Sequence, residues 1–339
     1  MDEGDIPLMR VTSKQIAEIC GVTRGTVDRA LNNRAEINPE TKAHILKVAN
    51  ELGYRPHFLA QSLVKKKTKT LGIVLFDVRN QIFAQLFSAF EARSLEKGYF
   101  VYLVMSHHRK ELELEYINSL LDRKVDGIAL LPINQGAEFE KKLLKAGVPI
   151  VTFGNRLSGQ FPHVWLNDRE AVRQAATYLI TQGYTRLIYV SPPLNRKDNE
   201  NIYVPEQRYA GLLEACEQHA EIQYDIVTAH DYFPLIEQLL EKGRQAEERC
   251  VILTSSDMYA LRILKWLKEK QIRVPDEVGL MGFDNIDVLN YVNPALSTVD
   301  YSIDEIGTQL ADQLIRMVQG EEVPAETFID HEIIPGKSV

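Results

Sequence analysis

Val27, Ala30 and Leu31 recur at i, i+3 and i+4, so turning them inward leaves Arg24, Gly25, Asp28, Arg29 and Asn32 on the opposite face of one short helix. Two guanidiniums and a carboxamide on a small polar face suit base edges and phosphates. An arginine that spans O6 and N7 of a guanine contributes roughly 1–3 kcal/mol of discrimination. Thr23 stands where its hydroxyl can cap that helix or meet a phosphate oxygen at the helix start. An ordinary three-helix bundle would bury the same apolar stripe. The outward arginines and asparagine separate a nucleic-acid interface from that blander alternative.

That face needs a scaffold, and three short helices supply one. Thr12 and Gln15 have capping-box spacing ahead of Ile16, Ile19 and Cys20, and Gly21 stops the helix, which predicts residues 13–20. Cys20-Gly21-Val22-Thr23 is a tight turn into the second helix. Asn38 and Pro39 are an N-cap and a first-turn proline for a third, with Ile45, Val48, Ala49 and Leu52 along one side and Gly53 at its end. Helix, tight turn and helix form the bihelical unit that sets its second helix in the major groove. Charge agrees: the chain is −8 overall, yet residues 10–70 hold 12 Lys/Arg against five Asp/Glu, or +7, which leaves −15 elsewhere. A basic first module on an acidic body is the footprint of a protein whose N-terminal end alone faces phosphate.

From Leu71 the pattern changes to apolar runs alternating with amphipathic helices, as βαβ units require. Strands are predicted at 71–76, 99–105, 125–131, 148–153, 186–191, 250–255 and 277–283. Seven parallel strands suit two doubly wound lobes with a ligand between their strand ends. Between the two modules, residues 54–70 hold one or two helical turns around Phe58 to Leu63 and then a basic run, a linker. Lys65, Lys66, Lys67 and Lys69 can sit on flanking phosphates or simply be solvated. Cys20, Cys216 and Cys250 form no metal or redox motif and are expected to be buried thiols. No GxGxxG, GxxxxGK[ST], GxSxG or HExxH occurs, and His107-His108 lacks a third ligand in register and is expected in a solvated loop. The sequence therefore signals no enzyme, cofactor or metal. No stretch approaches the roughly 20 apolar residues of a bilayer span, and MDEGDIPLMR lacks the features of a secretory signal, so a cytoplasmic protein is expected.

Residues 11–63 closely resemble the lactose/galactose-repressor family of bacterial transcription regulators, through GVTRGTVDRALN, NPET and ELGYRP. The resemblance continues through LGIVLFDVRNQIFAQL, VDGIALLP, GYTRLIYV, RYAGLLEA, SSDMYALRIL, VPDEVGLMGFDN and STVDYSIDEIG, so it covers essentially the whole chain. It implies a small all-α helix-turn-helix domain (10–56), a hinge (57–70) and an α/β two-lobed sensor of periplasmic-binding-protein-like (type I) architecture (71–339). Lobe N is expected over about 71–166 and 302–324, and lobe C over about 167–298 and 328–339.

The same resemblance implies roles by position. Arg24 and Gly25 match base-reading positions, Arg29 a base-contacting arginine, and Thr23, Thr26 and Asn32 phosphate contacts. Leu63 matches a leucine that wedges into the minor groove, with Ala60 beside it. Asp28 stands where a serine is usual; an acid there repels phosphate unless it accepts from a cytosine amino group or pairs with Arg24. In the sensor, Asp77, Asn80, Phe83, Arg208, Ser256, Asp257 and Asp284 match effector positions at strand ends, although Asp77, Asp257 and Asp284 could equally cap the helices that follow. Gly154 replaces a usual Asp or Asn, beside Asn155 and Arg156, and Tyr232 stands where an aromatic platform is common. The implied protein is a homodimeric repressor of a palindromic operator DNA, controlled by a small sugar-like effector. A nucleobase corepressor or a phosphoprotein partner is the alternative signal.

Overall fold

The N-terminal helices begin where a side chain can take up the first backbone N–H groups. Helix α1 (Ser13–Ile19) opens on a complete capping box: Gln15 N–H donates to Thr12 Oγ1, and Thr12 N–H donates to Gln15 Oε1 at 2.8 Å. Thr23 Oγ1 accepts from Thr26 N–H at 3.2 Å to start α2 (Arg24–Leu31). Asn38 accepts from the Glu40 and Thr41 N–H groups at α3 (Pro39–Glu51). Ile16, Ala17, Val27, Ala30, Ile45, Val48 and Ala49 form the buried core. Two expected core positions lie outside it. Ile19 is 58% exposed, because the inward stripe of α1 runs through Ile16, Ala17 and the half-buried Cys20, and Leu52, at the C-cap of α3, is 39% exposed.

The computed structural model describes residues 11–32, 37–54, 67–194 and 200–339. Ala60 and Leu63, with the expected hinge helix around 58–63, lie outside the described residues, as do Lys65 and Lys66. The chain divides into units at Met1–Thr68 and Lys69–Val339.

In the second unit, β1 (Thr70–Leu75), β2 (Phe100–Met105), β3 (Gly127–Leu130), β4 (Ile150–Phe153), β5 (His163–Leu166) and β11 (Glu326–Ile329) form a parallel sheet ordered β11-β5-β4-β3-β1-β2. A second parallel sheet, β7-β6-β8-β9, joins β6 (Arg186–Val190), β7 (Gln223–Val227), β8 (Cys250–Thr254) and β9 (Gly279–Met281). The antiparallel pair β10 (Thr298–Asp300) and β12 (Glu332–Ile334) lies beside β9, held by Gly282 N–H to Ser297 O at 2.8 Å and Asp284 N–H to Val299 O at 2.9 Å. The seven expected strands form; β5, β7, β10, β11 and β12 had not been anticipated. In each parallel sheet the first strand lies between the second and the third, so the order turns there and leaves a crevice at the carboxyl ends. The chain passes between lobes after β5, after β10 and after β11, so Phe328 and Ile329 stay with the first lobe, just beyond the boundary expected at 324–328.

Helices α4 (Gln81–Glu96), α5 (Lys110–Asp122), α6 (Ala137–Leu144), α7 (Asp168–Thr181), α8 (Tyr203–Gln218), α9 (Phe233–Gln245), α10 (Asp257–Glu269) and α11 (Ile303–Gln319) flank the sheets. The helix after each lobe's first strand packs on the helix that follows a crossing: α4 on α11, α8 on α7. Each pair closes through a glycine, since a Cβ on Gly307 would lie 2.5 Å from Leu86 O and one on Gly211 would lie 2.0 Å from Arg169 O. Cys216 and Cys250 are buried as expected, and Cys20 is half-buried.

Candidate functional site

On α2, Thr23, Arg24, Gly25, Asp28 and Arg29 are exposed, Thr26 and Asn32 are half-buried, and Val27 and Ala30 face the core. Arg24 Nε donates to Ser13 Oγ on α1 at 3.2 Å, and Arg29 Nε donates to Gly25 O at 3.3 Å. Each arginine is thus braced through Nε, and its two Nη groups have no protein acceptor among the described residues. Thr23 and Thr26 share a hydroxyl–hydroxyl bond of 2.9 Å. Asp28 pairs with Asn32 instead of Arg24: Asn32 Nδ2 donates to Asp28 Oδ1 at 3.0 Å and to Asp28 O at 2.9 Å. The neighbouring carboxamide is nearer than the guanidinium, which α1 draws aside.

In the second unit a cavity of about 470 Å³ lies at the carboxyl ends of both parallel sheets. Ordinary small-molecule sites span about 300–1,000 Å³. Of the expected effector residues, Asp77, Asn80, Phe83, Asn155, Arg208, Ser256 and Asp284 line it. Its floor is a charged network. Arg208 Nε donates to Asp168 Oδ1 at 2.7 Å, its Nη1 donates to Ser255 O and lies 3.8 Å from Asp284 Oδ1, and its guanidinium stands 3.8 Å above the Phe283 ring. Trp165 Nε1 donates to Asp168 Oδ2 at 2.9 Å, and Tyr301 Oη donates to Asp284 Oδ1 at 2.8 Å. Burial pushes the Asp284 carboxyl up to about 8 despite the pull of Arg208, and Asp168 is raised by the same cause. Asp284 also holds a φ of 118°, a strained value for any residue with a side chain, fixed by its bonds to Val299 and Tyr301.

The lobes are tied at one edge of the cavity. Asn155 Nδ2 donates to Asn201 O at 2.7 Å, Val204 N–H donates to Asn155 Oδ1 at 3.1 Å, and Asn201 donates from its backbone to Ile133 O at 2.7 Å and from Nδ2 to Arg156 O at 2.9 Å. Gly154 stands at φ +62°, and a Cβ there would lie 2.5 Å from Leu131 Cδ1, so a side chain at this position requires that leucine to shift.

The profile described as "Bacterial regulatory proteins, lacI family" matches residues 12–57, and that described as "Periplasmic binding protein-like domain" matches residues 176–339. Catabolite control protein A of Priestia megaterium is 27% identical over 321 residues, 93% of this chain and 95% of the relative. The HTH-type transcriptional regulator AscG of Escherichia coli K12 is 28% identical over 328 residues, 94% of this chain and 95% of the relative. The chain thus joins a DNA-binding domain of the lacI family to a periplasmic-binding-protein-like domain. Its fold matches the crystal structure of the lac repressor dimer bound to operator and the anti-inducer ONPF, with a TM-score of 0.83 at 20% identity over 97% of this chain and 99% of that one. A transcriptional regulator CelR–cellobiose complex matches with a TM-score of 0.69 at 23% identity, over 97% and 100% of the two chains.

Three expected effector residues do not line the cavity. Asp257 is a buried strut, accepting from Thr298 Oγ1 at 2.7 Å and Ile286 N–H at 3.0 Å, and burial pushes it up to about 6. Tyr232 is buried against Phe233 and Tyr259, and His230 and Tyr259 line the cavity near it instead. Arg156 turns to Glu326 on β11, an ion pair that holds its side chain away. Asp77 does not cap α4. Asn80 does, accepting from Ile82 N–H at 3.4 Å, whereas Asp77 accepts from Arg79 N–H at 2.8 Å and lies 3.7 Å from His108 Nε2. The histidine expected to be merely solvated therefore lines the cavity, packed on Phe76. Sequence reasoning missed Trp165, Asp168, Asn201 and Tyr301. Asp168 opens α7, a place where an acid is ordinary, and neither it nor Asn201 has a local signal of a site. Among the described residues no helix is long and apolar enough to cross a membrane.

Proposed function

We propose that this LacI-family transcriptional regulator is a cytoplasmic repressor that binds a palindromic operator as a homodimer and is controlled by a sugar or sugar derivative in the cavity. One observation carries the reading: strand ends of both lobes converge on a cavity whose floor, Arg208 with Asp284 and Tyr301, braced from behind by Asp168, offers hydrogen-bonding groups, the Arg208 guanidinium among them, to ligand hydroxyls. Residues 10–56 read DNA through Thr23, Arg24, Gly25, Thr26, Arg29 and Asn32. Residues 57–70 form the hinge, with Leu63 wedged into the minor groove beside Ala60, and residues 71–339 bind effector and dimerise. Two-fold pairing supports the operator geometry, since one recognition helix offers too little contact alone. A ligand that fits the cavity in only one arrangement of the lobes shifts the population toward that arrangement and so changes how the paired hinges meet DNA. The cellobiose-bound CelR supports a saccharide class, and Asn80, Asn155 and Ser256 add hydrogen-bonding groups to the lining.

A thermal-shift screen of the full chain against sugars, sugar phosphates and nucleobases tests this. A true effector at about 100 times its Kd adds about 2.7 kcal/mol of stability, and Arg208→Ala should abolish the shift. Stabilisation by nucleobases alone would contradict the saccharide reading.

A further inference from the structure

We infer that the cavity takes an anionic ligand, a sugar-like molecule bearing a carboxylate or phosphate, held between Arg79 of the first lobe and Arg262 of the second. This rests on the reading that the cavity is the effector site. Arg79 lies in the turn between β1 and α4, Arg262 lies on α10, and both line the cavity with exposed side chains. Arginines in this unit are commonly matched: Arg93, Arg156, Arg169, Arg173, Arg186, Arg208, Arg244, Arg273 and Arg316 each pair with a carboxylate. Arg79 and Arg262 have no carboxylate partner among the described residues, and both face the same space.

The acids of the lining do not neutralise them. Asp77 is engaged by the Arg79 amide and His108, and Asp284 is engaged by Tyr301 and Arg208. Glu200 is the third carboxylate of the lining, and its backbone oxygen accepts from Gln135 Nε2 at 3.3 Å. Enclosing two unmatched cations around a neutral sugar would strip their water without replacement, whereas a carboxylate or phosphate accepts from both in charge-assisted bonds. With one cation on each lobe, the same anion draws the lobes together, so recognition and closure become one event. A neutral sugar meets the floor network but leaves the two arginines unanswered.

The test uses the full chain and matched ligands: galactose against galacturonate, and glucose against glucose 6-phosphate, followed by melting temperature and by fluorescence of Trp165 in the cavity wall. The acid of at least one pair should bind at least about tenfold more tightly than its neutral partner. Arg79→Ala and Arg262→Ala should each remove most of that preference, Arg79→Lys and Arg262→Lys should restore part of it, and added salt should weaken it. The inference is overturned if no acid shifts the melting temperature, if neutral partners bind as well, or if the alanine variants leave acid binding unchanged. If an acid binds through both arginines without altering DNA affinity, the effector reading fails and the anion site stands. If a neutral sugar alters DNA affinity, the anion site fails and the effector reading stands.

Discussion

Removing Arg208 would leave the buried Asp168 carboxylate without its partner and take away the cation that faces Asp284. Breaking a buried pair from one side costs about 3–5 kcal/mol. Arg208→Ala is therefore expected to lower the sensor's stability in urea by that order and to abolish effector response, while the separate helical unit keeps its circular-dichroism signature. Wild-type stability in the variant would show that the network contributes nothing to the fold. Asp284 makes a pH prediction. Its folded value, about 8, exceeds the unfolded value of about 3.9, so its contribution is whole below the unfolded value and is lost as the pH rises through the folded one. Melting temperature should fall from about pH 5 to about pH 8, less steeply in Asp284→Asn. Some slope should remain, since burial raises Asp257 in the same direction. Arg24 and Arg29 were legible from helical periodicity because an exposed face needs only its own helix. Asp168 and Asn201 were not, because their partners are 40 and 46 residues away.

At the scale of elements, capping chemistry carried the most information. Thr12, Thr23 and Asn38 each mark a helix start that the structure realises with a side-chain bond. Most strands buried on both sides were visible as apolar runs, but β5, only four residues long and opening on His163, was not. β7 was not, since Gln223 and Tyr224 are exposed on an edge, and β10 and β12 are three residues each, too short for any period. The glycine contacts between helix pairs left no sequence signal either, yet they set how closely each lobe is built. Gly211→Ala and Gly307→Ala are each expected to destabilise the sensor by about 1–3 kcal/mol through overpacking against backbone. Differential scanning calorimetry would check this, and an unchanged melting temperature in both variants would mean that the helices separate at no cost.

For the whole molecule, the uneven charge divided the chain before any fold was assigned, and the division between its two units falls at Thr68, inside the expected linker. The pairing of lobes was legible as a repeated alternation of strand and helix. The lobe-to-lobe bonds of Asn155 and Asn201 were not, since they depend on three loops meeting. The central claim is that occupancy of the cavity changes the hold on DNA. It is tested most directly by fluorescence anisotropy of the full chain on a palindromic sequence selected from random DNA, titrated with a ligand found by thermal shift. The expected result is a change in DNA affinity of about tenfold or more, in wild type and not in Arg208→Ala. A ligand that saturates the cavity while DNA affinity stays constant would contradict the account.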